Sequence, residues 1–230
     1  MSLFPTTRRS VILALSSNDP SERARAFDAL LAIYWKPLYK YARVAHGRDS
    51  QDAEDRTQSF LTRAFEKSSL ATYDESKASF RTFLRTLFDR HLMNEVKAET
   101  RLKRGGANAQ ISFEAAEAEI MREPDRGGTP EDYFQREWVR SVFAVGVEQL
   151  RECTRPEDFD LFETYDLDET SLLSYRELGE RTGMSETMVT NRLASIRRRF
   201  RDIMLDVLRD ATASDREFRA EVRSLLGFDP

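Results

Sequence analysis

Residues 175–205 read YRELGERTGMSETMVTNRLASIRRRFRDIML, and this stretch decides the fold of the C-terminal half. A short helix over about Tyr175–Arg181 stops at Thr182-Gly183, where glycine can take the left-handed conformation of a sharp turn. Met184 is placed to fill the space between two helices, and Ser185 to cap the second. That second helix is predicted over about Glu186–Leu208. Val189, Leu193, Ile196, Phe200, Ile203 and Val207 recur along it at intervals of 4, 3, 4, 3 and 4, a single apolar stripe. Short helix, tight turn and capped helix is the order of a helix-turn-helix. In that motif the start of the second helix enters the major groove. Glu186, Thr187, Thr190 and Asn191 then stand where base edges are read, and Arg197, Arg198 and Arg201 where phosphates are met. The alternative for the same residues is a basic helix packed in a bundle, its arginines merely solvated.

Working outward, helical periodicity dominates and no segment keeps a strand alternation. Asp19-Pro20 opens a helix that Trp35-Lys36-Pro37 is expected to break, with another running on to about His46. Ser50 is expected to cap a third, through about Lys67. A long fourth spans about Phe80–Arg104 and stops at Gly105-Gly106. Thr129-Pro130-Glu131-Asp132 starts a helix carrying Phe134, Trp138, Val142, Val145 and Leu150. A short helix follows at about Pro156–Tyr165, and an amphipathic one at Ser214–Leu226 ends the chain. The predicted fold class is all-α: two small helical domains joined by an acidic linker, the second containing the helix-turn-helix. The boundaries are 1–104, 105–129 and 130–230, with a short helix at Glu114–Met121 inside the linker.

The net charge of −4 conceals a pattern. Residues 77–104 hold eight basic and three acidic side chains; 181–201 hold six and one. Residues 105–180 hold seven basic against nineteen acidic. Two basic islands therefore flank an acidic middle, and local patches rather than net charge decide nucleic-acid binding. No stretch approaches the roughly 20 apolar residues of a membrane span. The N-terminus MSLFPTTRRS lacks the apolar run of a signal peptide. No membrane insertion is expected. The single cysteine, Cys153, allows no internal disulfide and suits the cytoplasm. With only His46 and His91 beside it, no metal site is expected. There is no glycine-rich phosphate loop and no Ser-His-Asp set, so neither catalytic residues nor a cofactor are expected, and the chain does not read as an enzyme.

The third predicted helix, DAEDRTQSFLTRAFEK, has Ala53, Thr57, Phe60, Leu61 and Ala64 on its buried side, with Asp52, Asp55, Arg56, Ser59 and Arg63 facing out. The fourth has an apolar side (Phe80, Phe83, Leu84, Leu87, Phe88, Leu92, Val96) and a basic one (Arg81, Arg85, Arg90, Lys97, Arg101, Lys103, Arg104). Aromatics among arginines suit single-stranded DNA, although core packing accounts for most of these phenylalanines.

The pieces together resemble the sigma-70 family of RNA polymerase sigma factors, in its small two-domain extracytoplasmic-function (ECF) group. The matching residues are D-A-E-D-x-T-Q at Asp52–Gln58, F-R-x-F-L at Phe80–Leu84, and Asn94-Glu95 followed by K-R-G-G at Lys103–Gly106. In the second half they are Y-x-E-L at Tyr175–Leu178, G-M-S at Gly183–Ser185 and V-x-x-R-L at Val189–Leu193. The entry segment TRRSVILAL and the T-P-E-D helix start are also similar to this group. The resemblance implies that Asp52, Glu54, Asp55 and Gln58 dock on the coiled coil of the large polymerase subunit, with core RNA polymerase, beta and beta-prime, as partner. It implies that Arg81, Arg85, Arg90, Asn94 and Lys97 contact and melt the −10 promoter element, and that the loop Ser68–Ser79 helps hold a flipped base. It also implies that Ser185, Glu186, Thr187, Thr190, Asn191, Arg192, Arg197 and Arg198 serve the −35 element. The acidic linker would thread into the polymerase cleft, although a solvated linker explains its charge as well. An anti-sigma factor or a Ser/Thr kinase is the regulator such a protein would have.

The departures are local. Ser59 stands where the family has an acid, and Arg56 where it has an apolar residue; Phe83 replaces a tryptophan. Phosphorylation of Thr57 or Ser59 would restore negative charge to the docking face; neutral surface variation is the alternative. The rival to the sigma reading is a stand-alone helix-turn-helix regulator that binds duplex DNA as a dimer.

Overall fold

The computed structural model describes residues 14–15, 17, 19–66, 69–98, 114–122, 128–168, 170 and 173–230. Among these every regular element is helical: α1 Pro20–Val44, α2 Ser50–Glu66, α3 Phe80–Ala98, α4 Glu114–Arg122, α5 Pro130–Cys153, α6 Pro156–Phe162, α7 Tyr175–Thr182, α8 Glu186–Ala211 and α9 Asp215–Leu226. The all-α expectation holds. The entry segment TRRSVILAL, the loop residue Ser68 and the basic end Arg101–Gly106 fall wholly or largely outside the described residues, as does most of the linker. None of the described helices is long and apolar enough to cross a membrane.

The chain forms two compact units, Met1–Val142 with Leu208–Pro230, and Phe143–Val207. The expected boundaries were 1–104, 105–129 and 130–230; of the last, Pro130–Val142 and Leu208–Pro230 group with the first unit.

In that first unit, α1 is one continuous helix, where a break at Pro37 was expected. Asp19 caps it, its Oδ1 accepting from the Ser21 N–H at 2.8 Å. Pro37 removes a backbone donor at a cost of about 3 kcal/mol in a helix interior. Around it Ile33, Tyr34, Leu38, Tyr39, Tyr41 and Ala42 are all buried. Fully burying such large apolar side chains contributes roughly 1.5–3 kcal/mol each, so packing outweighs the proline. Helix α2 packs on α1 and α3. Its cap is Asp49, which accepts from the Asp52 N–H at 2.8 Å, and not Ser50. Ala53, Thr57, Phe60, Leu61 and Ala64 are buried as expected. Arg56 is also buried, at 2% exposure, where an outward position was expected. It lies three residues after Ala53 and four before Phe60, which is the core side of a helix. Its charge is tolerated there because Nε donates to Asp52 Oδ1 at 2.6 Å. Phe80, Leu84, Phe88 and Leu92 supply the α3 side of the core.

Residues 114–122 of the linker form α4, which packs on α1. Its acids are engaged there. Glu117 hydrogen-bonds Arg43 and, at 2.5 Å, Tyr39; Glu119 pairs with Lys36 at 2.5 Å and Lys40 at 2.7 Å. Lys40, almost fully buried, also meets the equally buried Glu137 of α5 at 2.6 Å.

In the second unit, one apolar cluster joins Leu150, Phe159, Phe162 and Ile196, with Val147, Phe200 and Ile203 against it. A second joins Leu161, Leu178, Val189 and Leu193, with Tyr165, Leu173, Tyr175 and Met184. The stripe read from the sequence thus builds both.

Candidate nucleic-acid and polymerase interfaces

Helices α7 and α8 form the expected pair. Ser174 caps α7 in a capping box: its Oγ accepts from the Glu177 N–H at 3.3 Å, and Glu177 Oε2 accepts from the Ser174 N–H at 2.8 Å. The Ser174 hydroxyl, which donates to Glu177 Oε2 at 2.7 Å, and then the Ser174 N–H hold the Glu177 carboxyl below its ordinary pKa. Gly183 ends α7 in the left-handed conformation, φ 70°. Two successive N–H groups, of Gly183 and Met184, donate to the Gly179 carbonyl, the latter at 2.9 Å. Ser185 then caps α8, its Oγ accepting from the Met188 N–H at 3.3 Å.

Ser185, Glu186, Thr187, Thr190 and Asn191 are all exposed, on one end of α8. Thr190 donates its hydroxyl to the Glu186 carbonyl, at 2.9 Å. Met188, on the same tip, is also exposed. The arginines divide. Arg198 is exposed. Arg192 pairs with Asp158 at 2.9 Å. Arg197 grips Asp166 through Nε and a terminal nitrogen at 2.8–3.1 Å, donates to the Tyr175 hydroxyl at 3.1 Å and lies over the Tyr165 ring. The hydrogen bonds it donates to Asp166 push the Arg197 pKa up. Arg192 and Arg197 therefore brace α8 against the preceding segment, while Arg198 points to solvent.

On α2, Asp55 is exposed and Glu54 and Gln58 are half-buried, with Gln58 Nε2 donating to Glu54 at 3.3 Å. Asp52 is occupied by Arg56 and by Arg48, at 3.2 Å. Thr57 is fully buried, its hydroxyl without a hydrogen-bond partner among the described residues; Ser59 is half-buried.

On α3, Arg90, Met93 and Asn94 are exposed, Met93 at 60%. The side chain of Lys97 lies outside the described residues. Arg85 is held by Asp89 at 3.0 Å and Glu131 at 3.1 Å. Arg81 is held by Glu221 of α9 and stacks on the Trp138 ring at 4.9 Å.

Two residues that matter here were not singled out in the sequence. Ser174 is legible as S-x-x-E, a capping-box signal. Gly179 is not, because its need for a missing side chain arises from a backbone that folds back on it: a Cβ there would sit 2.5 Å from the Met184 carbonyl oxygen.

Against known proteins, a family model described as ECF sigma factor matches residues 15–206. No curated protein matches the chain.

Proposed function

The chain belongs to the ECF sigma factor family, and from that premise we propose that it binds the beta and beta-prime subunits of core RNA polymerase and directs them to a −10 and a −35 promoter element. The family is one of sigma factors, DNA-binding proteins of transcription initiation that act with RNA polymerase on promoter DNA. They are not an enzyme class; the polymerase does the chemistry.

The observation that carries the finer reading is the α7–α8 pair. The turn is built by Gly179 and Gly183, the second helix is capped by Ser185, and a polar tip is exposed from Ser185 to Asn191. In this reading Glu186, Thr187, Thr190 and Asn191 meet −35 base edges, and Arg198 meets phosphate. Arg192 and Arg197 hold the helix in place. On α3, Arg90 and Asn94 are the accessible contacts to the −10 strand, with Lys97 beside them in sequence and Arg81 and Arg85 engaged by carboxylates. On α2, Glu54, Asp55 and Gln58 supply the docking face, with Asp52 ordering it through Arg48 and Arg56. The protein works in the cytoplasm, where core polymerase is found, under an anti-sigma factor or a kinase.

A kinase would act on the docking face. Ser59 is the accessible acceptor, since the Thr57 hydroxyl is buried and becomes reachable only if α2 opens. A phosphate at Ser59 adds nearly two negative charges next to Glu54 and Asp55. Ser59→Glu is expected to raise affinity for core polymerase; unchanged binding would remove the kinase reading.

The test of the main reading is transcription in vitro with core polymerase on a genomic library, mapping the start sites. Promoter-specific starts that share two spaced elements are expected, and Asn191→Ala is expected to relax one −35 position by about 1–3 kcal/mol of discrimination. Tight binding of the isolated protein to a palindromic duplex, with no promoter-specific transcripts, would instead establish a stand-alone regulator.

A further inference from the structure

The family match ends at residue 206. The chain after it returns to the first unit and lies on the end of α3 that carries Arg81. The contact is polar at its centre. Glu221, buried on α9, pairs with the Arg81 guanidinium. Glu217 Oε1 accepts from the Phe80 N–H, the first of α3, at 2.8 Å. Its other oxygen accepts from the Ala213 N–H at 3.1 Å and the Tyr73 hydroxyl at 3.4 Å. Arg216 donates to the Glu75 carbonyl at 2.7 Å. Apolar burial of Phe218 and Val222, and a hydrogen bond from the Tyr34 hydroxyl to the Ala211 carbonyl at 3.1 Å, fix the segment from beneath.

We propose that α9 is an autoinhibitory cover: its two carboxylates occupy the Arg81 end of α3 in place of the phosphates of the melted promoter strand, and α9 must leave before that strand can bind. The inference rests on the reading of α3 as the −10 contact.

The groups fit the role. A guanidinium prefers a bidentate oxyanion, and a carboxylate and a phosphate compete for it on the same terms. Tyr73 to Ser79, part of the loop expected to hold a flipped base, is tied down by the same helix through Tyr73 and Glu75. One movement of α9 therefore releases both. The cover is also short, twelve residues at the end of the chain, so it can open without unfolding the core. A site closed nine-tenths of the time binds about tenfold more weakly than the open one.

The test uses the full chain. In a Cys153→Ser background, Glu75→Cys and Arg216→Cys place thiols on two exposed positions at the contact. A bismaleimide with a reducible spacer then locks α9 in place, and reductant frees it. The probe is a short labelled single-stranded oligonucleotide of the −10 sequence mapped by the transcription experiment, read by anisotropy. The expected result is binding weaker by about tenfold or more in the locked protein, recovered on reduction. Glu221→Gln without the lock is expected to bind more tightly than the parent, and Arg81→Gln to cancel that gain. If locked and released proteins bind alike while Arg81→Gln weakens both, α9 is not a cover, although α3 still contacts DNA. If Arg81→Gln changes nothing in either, the −10 reading of this end of α3 fails and the cover fails with it. Recovery on reduction separates inhibition from damage to the fold.

Discussion

At Gly179 the backbone leaves no room for a side chain, because the Met184 carbonyl oxygen lies 2.5 Å from where a Cβ would be. The obstacle is backbone, so it cannot swing aside. Gly179→Ala is expected to cost about 1–3 kcal/mol, the range of overpacking, and to reduce −35-dependent transcription as the turn shifts. Gly183 has open space around its Cβ position, and its only demand is the positive φ. Gly183→Ala is therefore expected to cost about 1–2 kcal/mol with a smaller loss of transcription. Paired thermal melts and promoter assays check the ordering. Gly183 was legible, since a glycine before a Ser cap announces a left-handed helix end. Gly179 was not, since nothing local marks it. Arg197 makes the same point for charge. Its spacing put it on a basic face, but only the structure pairs it with Asp166, 31 residues away. Arg197→Ala is expected to loosen α8 as much as to weaken DNA binding.

Most helix ends were legible, because a cap needs only a few neighbouring residues, although Ser50 was read for Asp49 and Ser174 was passed over. The Ser174 capping box predicts that Ser174→Ala costs about 1 kcal/mol, seen as faster amide exchange through α7 with little change in α5. Pro37 shows the limit of local rules: a proline inside a helix argues for a break, and tertiary burial on both sides overrules it. Helix α4 shows another. The acidic 105–129 segment read as a linker with a short helix, its charge meant for the polymerase cleft or for solvent, yet Glu117 and Glu119 are taken up by α1. The hydrogen bonds from Arg43, and then Tyr39, hold the Glu117 carboxyl below its ordinary pKa despite partial burial. A lowered acid pKa contributes stability above the ordinary glutamate range, and that contribution is lost as pH falls through the lowered value. Docking of α4 is thus expected to hold at neutral pH and weaken on acidification. Amide exchange over 114–122, corrected for intrinsic rates, checks this, and Glu117→Gln is expected to flatten the response.

At the scale of the molecule, the first unit is closed by charges as well as by apolar packing. Lys40 and Glu137 are both nearly buried, 2.6 Å apart. Removing one partner of such a pair costs about 3–5 kcal/mol, whereas replacing both with apolar residues of similar size is often neutral. Glu137 also accepts from Arg140 at 2.7 Å, so Lys40→Met is expected to cost less than that range, and Lys40→Met with Glu137→Leu to recover much of the loss, by urea denaturation. Either partner alone reads as an ordinary surface charge; burial of the pair is a product of three helices meeting. The sequence by itself determined the all-α class, the helix-turn-helix with its stripe and tip, the α2 and α3 core faces, and the family. Each of these is written in spacings of three or four residues or in contiguous motifs. Only the tertiary structure decided which charges are spent inside the protein and that the C-terminal helix returns to Arg81 of α3. Those depend on contacts between residues far apart in the chain, where the local pattern of a helix is the same whichever partner it finds.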